Sequence, residues 1–257
     1  EDATWVYYDK NGDKVTDSWK KSGDNWYYLD SDGEMAADVL IEDDDNYYYV
    51  DENGAMVRNQ WVAVENEDAG EEDEPDHYWY YFQSNGKAYK RSDDSNSLSP
   101  KTINGKKYAF DSYGVMKSGL KAIKFAGNST TEIDEIKGDD GIANMHFDTE
   151  DNFKDNVSAL YGADYKLYYF GSGDDGAMKT GKQTVTIDGE DYSFLFNKSG
   201  SSKGAGKLGI DDDKYYLGGM LLKASKDDKY SVIKITKDAS GTITALECLS
   251  TEEFLAD

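Results

Sequence analysis

The residues of this sequence best suited to chemistry are its tryptophans and tyrosines, because they recur in short runs. Residues 26–28 read Trp-Tyr-Tyr, residues 47–49 read Tyr-Tyr-Tyr and residues 79–81 read Trp-Tyr-Tyr. The electron-rich face of an aromatic ring attracts a quaternary ammonium group. The same face stacks on the C–H surface of a sugar, whose hydroxyl groups bond to nearby Asp, Asn and Tyr side chains. The runs therefore favour a site for a cation or for a sugar.

Residues for other kinds of chemistry are scarce. The two histidines, His77 and His146, lie far apart in sequence, and Cys248 is the single cysteine. Zinc sites need several such ligands, and no motif of a nucleophilic enzyme or a phosphate-binding loop is present. Acidic turns such as residues 30–33 lack the closing Glu of a calcium loop. We therefore expect no catalytic residue, no cofactor and no metal ion.

The net charge of the chain limits the classes of partner that it can bind. It carries 52 acidic and 28 basic residues in 257, a net charge of -24. Nucleic acids and anionic lipids are bound by basic surfaces, so we expect neither as a partner. No apolar run is long enough for a membrane span, so no membrane insertion is expected. Cationic ligands and neutral sugars remain compatible with this charge.

The aromatic runs belong to a repeat with a spacing of 21 residues. Segments 5–12, 26–33 and 47–54 superimpose without gaps, and each ends in an Asp- or Asn-containing turn with Gly. Met35 and Met56 keep the same spacing in the flanks. Looser copies are found at residues 79–86, 108–114, 168–176, 192–200 and 215–220. Such self-similarity is the sequence signature of a repeat architecture.

Each copy predicts one β-hairpin. Successive residues of a strand point to opposite faces, so an aromatic run covers the strand with rings. Asp, Asn and Gly then supply the backbone conformations that a tight turn requires. A lone hairpin is marginal in water and must stack on its neighbours. We therefore predict an all-β fold, a β-hairpin repeat solenoid.

Two stretches interrupt the repeats. Residues 125–165 are irregular and acidic, and Thr149 followed by Phe153 and Val157 on one face predicts a short helix. Residues 229–249 predict a C-terminal capping hairpin, which closes the open end of a stack. The predicted domains are an N-terminal hairpin repeat array at 1–122, an irregular insertion at 123–165, and C-terminal repeats with capping strands at 166–257.

The repeats resemble a known family. Residues 19–35 read Trp-Lys-Lys-Ser-Gly-Asp-Asn-Trp-Tyr-Tyr-Leu-Asp-Ser-Asp-Gly-Glu-Met. This is similar to the cell-wall-binding, or choline-binding, repeat of Gram-positive surface proteins, which also occurs in glucansucrases and clostridial toxins. The resemblance is strong over residues 4–61 and moderate over 78–122 and 166–222. It implies a left-handed solenoid with ligand sites between successive hairpins, and a secreted or cell-surface location.

In choline-binding members of that family each site is an aromatic box. The resemblance implies a first box formed by Trp19, Trp26 and Tyr49, with Met56 near its edge. It implies a second box formed by Trp61, Trp79 and Tyr108. The sequence departs from the family pattern at Leu40, where a box wall would be Trp, so a complete row of sites is not expected.

Three functions fit these observations. The first is a non-catalytic exported module that attaches to the bacterial cell wall through choline on teichoic acid or another wall glycopolymer. The second is a module that captures α-glucan or another polysaccharide, and the third is a structural spacer or protein-interaction solenoid. Intact cages around tryptophan favour the first, a flat row of exposed rings favours the second, and complete burial of every tryptophan favours the third.

Overall fold

A computed structural model describes residues 4–71, 74–90, 100–125, 133–137, 149–162, 165–224, 228–249 and 254–255. Over these ranges the chain consists of antiparallel β-hairpins and short sheets with one helix of several turns. The predicted all-β hairpin fold with a short helix is confirmed. The chain forms two compact units, the first made of residues 1–91 and 110–116, the second of residues 92–109 and 117–257.

The first unit contains three antiparallel β-hairpins with corresponding strand pairing. Its strands are β1 (Ser18–Ser22), β2 (Asn25–Leu29), β3 (Val39–Asp43), β4 (Asn46–Val50), β5 (Gln60–Glu65) and β6 (His77–Phe82). Each odd-numbered strand pairs antiparallel with the strand that follows it. The partners Trp19–Tyr28, Leu40–Tyr49 and Trp61–Tyr81 occupy the same place in the three hairpins. The 21-residue spacing of the sequence is therefore a structural repeat.

Several turns between the repeats are built by an Asp whose side chain accepts hydrogen bonds from the N–H groups two and four residues further along the chain. Asp30 Oδ1 accepts hydrogen bonds from the N–H groups of Asp32 and Glu34, each at 2.9 Å. Gly33 follows with a φ of 70°, a conformation that glycine adopts without a steric penalty. Asp9, Asp51 and Asp111 form the same arrangement. The acidic turns thus have a structural role that requires no metal ion.

Neighbouring hairpins of the first unit are joined by one recurring backbone bond. The N–H of Met35 donates to the C=O of Trp5, and the N–H of Met56 donates to the C=O of Trp26, both at 2.8 Å. Ala88 and Tyr47 make the same bond at 2.8 Å. Each bond connects the residue after one turn to the first aromatic residue of the preceding run. Stacking of the hairpins therefore follows the sequence repeat.

The second unit continues with shorter strands. They are β7 (Lys101–Ile103), β8 (Lys106–Phe110), β9 (Met116–Lys117), β10 (Leu120–Phe125), β11 (Ile133–Lys137), β12 (Lys166–Tyr169), β13 (Gly181–Ile187), β14 (Glu190–Phe196), β15 (Gly209–Asp211), β16 (Lys214–Leu217), β17 (Met220–Leu221), β18 (Val232–Lys237) and β19 (Ile243–Leu249). β8 and β9 each contribute residues to both units. The sheet orders are β7-β8-β9, β11-β10-β12, β13-β14-β17-β16-β15 and β18-β19.

The helix α1 (Glu150–Gly162) lies in the segment predicted to interrupt the repeats. Thr149 Oγ1 accepts a hydrogen bond from the N–H of Asn152 at 3.1 Å, which confirms the predicted helix start. Phe153 and Val157 are completely buried in one core with Leu246 of β19. The predicted C-terminal hairpin, β18 with β19, therefore packs into the same core as the helix. The predicted insertion also contains β11, which pairs with β10.

Candidate ligand-binding site

The first hairpin presents two tryptophans on one face. Trp19 of β1 lies directly opposite Tyr28 of β2, and Trp26 precedes Tyr28 by two residues. Because side chains alternate along a strand, all three project to the same side. The Trp19 and Tyr28 rings are 5.1 Å apart at an interplanar angle of 61°. Trp19 Nε1 also donates a hydrogen bond to Asp43 Oδ2 at 3.1 Å, which fixes the indole.

The next hairpin completes the group of rings. The Tyr48 ring lies 5.1 Å from the Trp19 ring at an angle of 58°. Met56 is brought beside these rings because its N–H bonds to the C=O of Trp26. An open cleft of about 300 Å³ results, here called the aromatic cleft, and it is lined by Trp19, Trp26, Tyr48, Met56, Arg58, Ser84 and Asn85. Trp26 keeps 37% of its surface exposed, so a ligand can reach it.

Tyr49, the third ring expected for this box, lies elsewhere. Its ring is 6.1 Å from Phe82, and its hydroxyl donates to Asp38 Oδ1 at 2.6 Å. Burial, together with the bond to Asp38, raises the pKa of Tyr49 to about 12. Tyr48 and Tyr49 point to opposite faces of β4, so a shift of one residue exchanges the ring that reaches Trp19. The structure brings together Trp19, Trp26 and Met56 as expected, with Tyr48 as the third ring.

Asp43 places a negative charge behind the rings of the aromatic cleft, whose lining also includes the positively charged Arg58. Its carboxylate accepts the Trp19 indole N–H and lies near Tyr48 and Tyr28. Burial raises the pKa of both tyrosines, and the charge of Asp43 raises it further. The ion pairs found within the described ranges do not include Asp43. A cation in the cleft would therefore meet aromatic faces with a carboxylate behind them.

Two of the three residues expected for the second box lie close together in the first unit. Trp61 and Trp79 lie 6.5 Å apart at 80°, so the structure does bring them together. Trp61 also stacks on Phe110 of β8, a fully buried ring, at 5.9 Å and 24°. Tyr108 belongs to the same strand but to the other unit, so its part in this box stays a prediction. Within the first unit, the ring that β8 places on Trp61 is Phe110.

The contact region between two successive hairpins is here called a seam. In the seam between the β3–β4 hairpin and the β5–β6 hairpin, the sequence departs from the family pattern at Leu40. Leu40 stands where the first hairpin has Trp19, and it packs against a buried cluster that includes Tyr80 and Ala88. Lys90 Nζ lies 5.7 Å from the centre of the Tyr47 ring, and Tyr47 is the counterpart of Trp26. The protein's own side chains thus occupy this seam.

In one seam of the second unit, Lys107 occupies the position that Trp26 has in the first unit. The N–H of Met178 donates to the C=O of Lys107 at 2.8 Å, which is the bond that Met56 makes to Trp26. Lys107, Tyr168 and Met178 help to line a cavity of about 150 Å³. An ammonium group at this position repels a quaternary ammonium ligand. The cavity lined by Lys107 is therefore less suited to a cation than the aromatic cleft.

The residues that the structure describes lack two further features. Within them, no group of three or more His, Cys, Asp and Glu side chains could hold a metal ion. No helix in the described part of the chain has the length and apolar character needed to cross a membrane.

Sequence reasoning missed four residues that shape these seams: Tyr48, Asp43, Arg58 and Lys90. The strict alternation of side chains along β4 could have identified Tyr48. Tyr48 lies two residues before the buried Val50, so both side chains face the same side of the strand and Tyr49 faces the other. Arg58 and Lys90 each follow, by two residues, the position whose N–H bonds to the preceding hairpin. The repeat therefore marks the positions of Arg58 and Lys90, although it does not predict the direction of their side chains.

Family profiles match the repeats of the first unit. The profile described as the choline-binding repeat matches residues 15–61, and that described as the putative cell wall binding repeat matches residues 78–88. The resemblance to this repeat family is therefore confirmed over those residues. The first match includes Trp19, Trp26, Tyr48 and Met56, all four apolar residues of the aromatic cleft. A comparison with curated proteins found no significant match.

Several solved structures of Streptococcus pneumoniae proteins are similar to this chain. The choline-binding domain of CbpL is 19% identical, with 88% of this chain and 96% of that one covered and a TM-score of 0.33. Choline binding protein F is 23% identical over 85% of this chain and 61% of its own, with a TM-score of 0.33. The modular autolysin LytC is 18% identical over 97% of this chain, with a TM-score of 0.36, and the chain spans 48% of its length.

Proposed function

We propose that this chain is a non-catalytic, exported binding module that attaches to the bacterial cell wall by holding the quaternary ammonium group of choline in the aromatic cleft. The observation that carries the proposal is the convergence of Trp19, Trp26, Tyr48 and Met56 from two adjacent hairpins on one open cleft. This cleft lies inside the segment that matches the choline-binding repeat profile.

The chemistry of the cleft suits a trimethylammonium group. Its positive charge is spread over methyl groups, which contact aromatic faces without losing strong hydrogen bonds to water. Each such contact contributes about 0.5–2 kcal/mol, with the larger values where water is excluded. The carboxylate of Asp43, bonded to the indole of Trp19, adds an attraction from behind the rings. The net charge of -24 raises the concentration of cations near the surface.

Choline on teichoic acid is the wall component that this chemistry recognises, and the proposed location is the cell surface of a Gram-positive bacterium. The aromatic cleft provides one anchoring point. The regions lined by Leu40 and Lys90 in one case and by Lys107 in the other do not offer an equivalent group of aromatic rings, whereas Trp61 and Trp79 are a second pair of tryptophans, 6.5 Å apart. The proposed attachment therefore uses few sites.

The geometry of the rings favours this function over capture of α-glucan. Trp19 meets Tyr28 at 61° and Tyr48 at 58°, so the rings form the walls of a cage. A polysaccharide strand stacks on rings that lie in a common plane. The spacer function requires every tryptophan to be buried, whereas Trp5 and Trp26 are 69% and 37% exposed.

The proposal is tested by calorimetric titration of the purified chain with choline and, separately, with a maltooligosaccharide. Choline should bind, and W26A should weaken that binding at least about tenfold because one wall of the cage is removed. W5A is the matched control, since it deletes an exposed tryptophan outside the cleft. Free choline should also release the chain from choline-bearing cell walls.

Three results of these titrations would contradict the proposal. Binding of the maltooligosaccharide alone would support the α-glucan function, and binding of neither ligand would support the spacer function. Equal choline affinity in W26A and the unchanged chain would show that choline is held elsewhere.

A further inference from the structure

We infer that the cavity lined by Lys107 in the second unit is a binding site for a small carboxylate with a short apolar body, a ligand of the size and chemistry of butyrate. The cavity has a volume of about 150 Å³. It shares no lining residue with the aromatic cleft, so the inference goes beyond the proposed function.

The cavity lies in a seam whose backbone matches that of the aromatic cleft but whose charge is the opposite. The N–H of Met178 donates to the C=O of Lys107 at 2.8 Å, and the N–H of Met56 donates to the C=O of Trp26 at the same distance. The second unit therefore carries an ammonium group at the position where the first unit carries an indole. A positive charge at this position attracts an anionic ligand.

The positive charges of the cavity are not used by the protein itself. Two lysines, Lys107 and Lys203, line it, and the lining contains no acidic residue. No ion pair within the described ranges involves either lysine, although the chain has 52 acidic residues and 28 basic ones. Burial raises the pKa of Tyr168, so this phenol stays neutral and does not oppose an anion. The two ammonium groups are therefore available to an anion from outside.

The inner side of the cavity is apolar. Ile123, Tyr168 and Phe170 belong to one buried cluster, and Met178 packs against it. Ser201 and Lys203 are exposed, so they lie at the mouth of the cavity. An apolar group on the inner side and an anionic group at the mouth would each meet matching chemistry. A fully hydrated anion such as inorganic phosphate would leave the apolar side without a partner.

The volume of the cavity limits the length of the apolar body. An apolar cavity of this size holds a molecule of about six non-hydrogen atoms, the size of benzene. Butyrate has this size, and its carboxylate accepts hydrogen bonds from ammonium and hydroxyl groups. A short-chain carboxylate therefore matches the cavity in size, charge and polarity.

The site is tested by titrating butyrate into the whole chain, labelled at its methionine and isoleucine methyl groups, and recording NMR spectra in a low-salt buffer. The methyl signals of Met178 and Ile123 should shift, and that of Met56 should not. Acetate should bind about tenfold more weakly, because it has less apolar surface to bury. Butyramide keeps the size of butyrate but carries no charge, and it should bind at least about fivefold more weakly.

Variants of the lysines test the role of their charge. K107Q and K203Q should each weaken butyrate binding about three- to fivefold, and added salt should weaken it as well. K106Q is the matched control, because Lys106 is an exposed neighbour whose side chain faces the opposite side of β8. K106Q removes the same charge from the chain and should leave butyrate binding unchanged.

A third ligand distinguishes a free acid from the end of a peptide, since both present a carboxylate on a small apolar group. Binding of N-acetylalanine as tight as that of butyrate would assign the site to a peptide C terminus. Binding of butyrate alone would assign it to a free short-chain acid.

Four results would overturn the inference. They are a Met178 methyl signal that does not shift, equal affinity for butyrate and butyramide, equal losses in K107Q and K106Q, and tighter binding of inorganic phosphate than of butyrate. Choline binding is measured in a separate titration through the Met56 methyl signal. The carboxylate site can therefore fail while the proposed function stands, and the reverse.

Discussion

Trp19 contacts rings from two successive hairpins and so holds the aromatic cleft together. Its ring is 5.1 Å from Tyr28 in its own hairpin and 5.1 Å from Tyr48 in the next one. The hydrogen bond from its Nε1 to Asp43 ties it to the second hairpin as well. One side chain therefore serves both as packing between hairpins and as a wall of the site.

Leu40 occupies in the next hairpin the place that Trp19 has in the first. The change Trp19→Leu therefore gives both hairpins the same residue at this place. We expect choline affinity to fall at least about tenfold, because a cage wall and its cation–ring contact are lost. The hairpins should remain folded, since Leu is accepted at the counterpart position. Calorimetry measures the affinity and circular dichroism measures the melting temperature. An unchanged affinity in the folded variant would show that Trp19 only supports packing.

Asp43 is predicted to attract the ligand by its charge. The change Asp43→Asn keeps an oxygen for the Trp19 indole and removes the charge, so choline affinity should fall about two- to fivefold at low salt. The control Asp188→Asn removes the same charge in the β13–β14 turn, where φ is 51° and Asn is tolerated. The control should bind choline normally. If both variants lose affinity equally, the net charge of the chain matters and the position of Asp43 does not.

At the scale of elements, Gly33, Gly54 and Gly86 each leave room for the side chain that follows the previous turn, which lets the hairpins stack. A Cβ atom on Gly54 would lie 2.8 Å from Met35 Cε, and one on Gly86 would lie 2.3 Å from Met56 Sδ. Gly204 stands in the same relation to Met178 in the second unit. The glycines of the repeat therefore have two roles, since they adopt a positive φ and leave room for the neighbouring methionine.

The pair G86A and G12A separates these two roles. Gly86 and Gly12 have φ values of 85° and 87°, but a Cβ on Gly12 meets nothing within 4 Å. G12A should therefore cost only the conformational strain, about 1 kcal/mol. G86A should cost about 1–3 kcal/mol more and weaken choline binding, because Met56 must move. Urea denaturation gives the free energies of unfolding, and equal losses would show that Met56 yields without cost.

The sequence predicted the elements well because their signals are local. The 21-residue spacing gave the hairpins, Thr149 gave the start of α1, and residues 229–249 gave the final hairpin. Which side chain reaches a neighbouring hairpin is not a local property. It depends on the register of each strand, which is why Tyr48 replaces Tyr49 against Trp19. It also depends on side-chain direction, which placed Phe110 on Trp61 and Lys90 on Tyr47.

At the scale of the whole molecule, the chain relies on buried and half-buried tyrosines. Burial is the largest cause of the raised pKa of Tyr49 and Tyr80, each to about 12. Burial also raises the pKa of Tyr161 and Tyr168 in the second unit. In each case the folded protein favours the neutral phenol over the phenolate. The free energy of unfolding therefore depends on pH in the alkaline range through these tyrosines.

The free energy of unfolding is predicted to fall at high pH. A tyrosine with a folded pKa above its ordinary value of 10.0 stabilises the fold fully below pH 10, and this contribution is lost as the pH rises through about 12. Melting temperatures measured between pH 8 and pH 12 should decline above about pH 10. Tyr80→Phe should flatten the decline, whereas Tyr230→Phe, which changes a 71% exposed residue, should not. Identical profiles for both variants would contradict this explanation.

The account depends most directly on the claim that the aromatic cleft binds a positive charge. The decisive measurement compares choline with its neutral carbon isostere, in which a tert-butyl group replaces the trimethylammonium group, by calorimetric titration of the whole chain. The two ligands have nearly the same shape and apolar surface, so a difference in affinity reports the charge. We predict that choline binds at least about tenfold tighter and that Trp19→Leu removes most of this difference. Equal affinity for the two ligands would contradict the account.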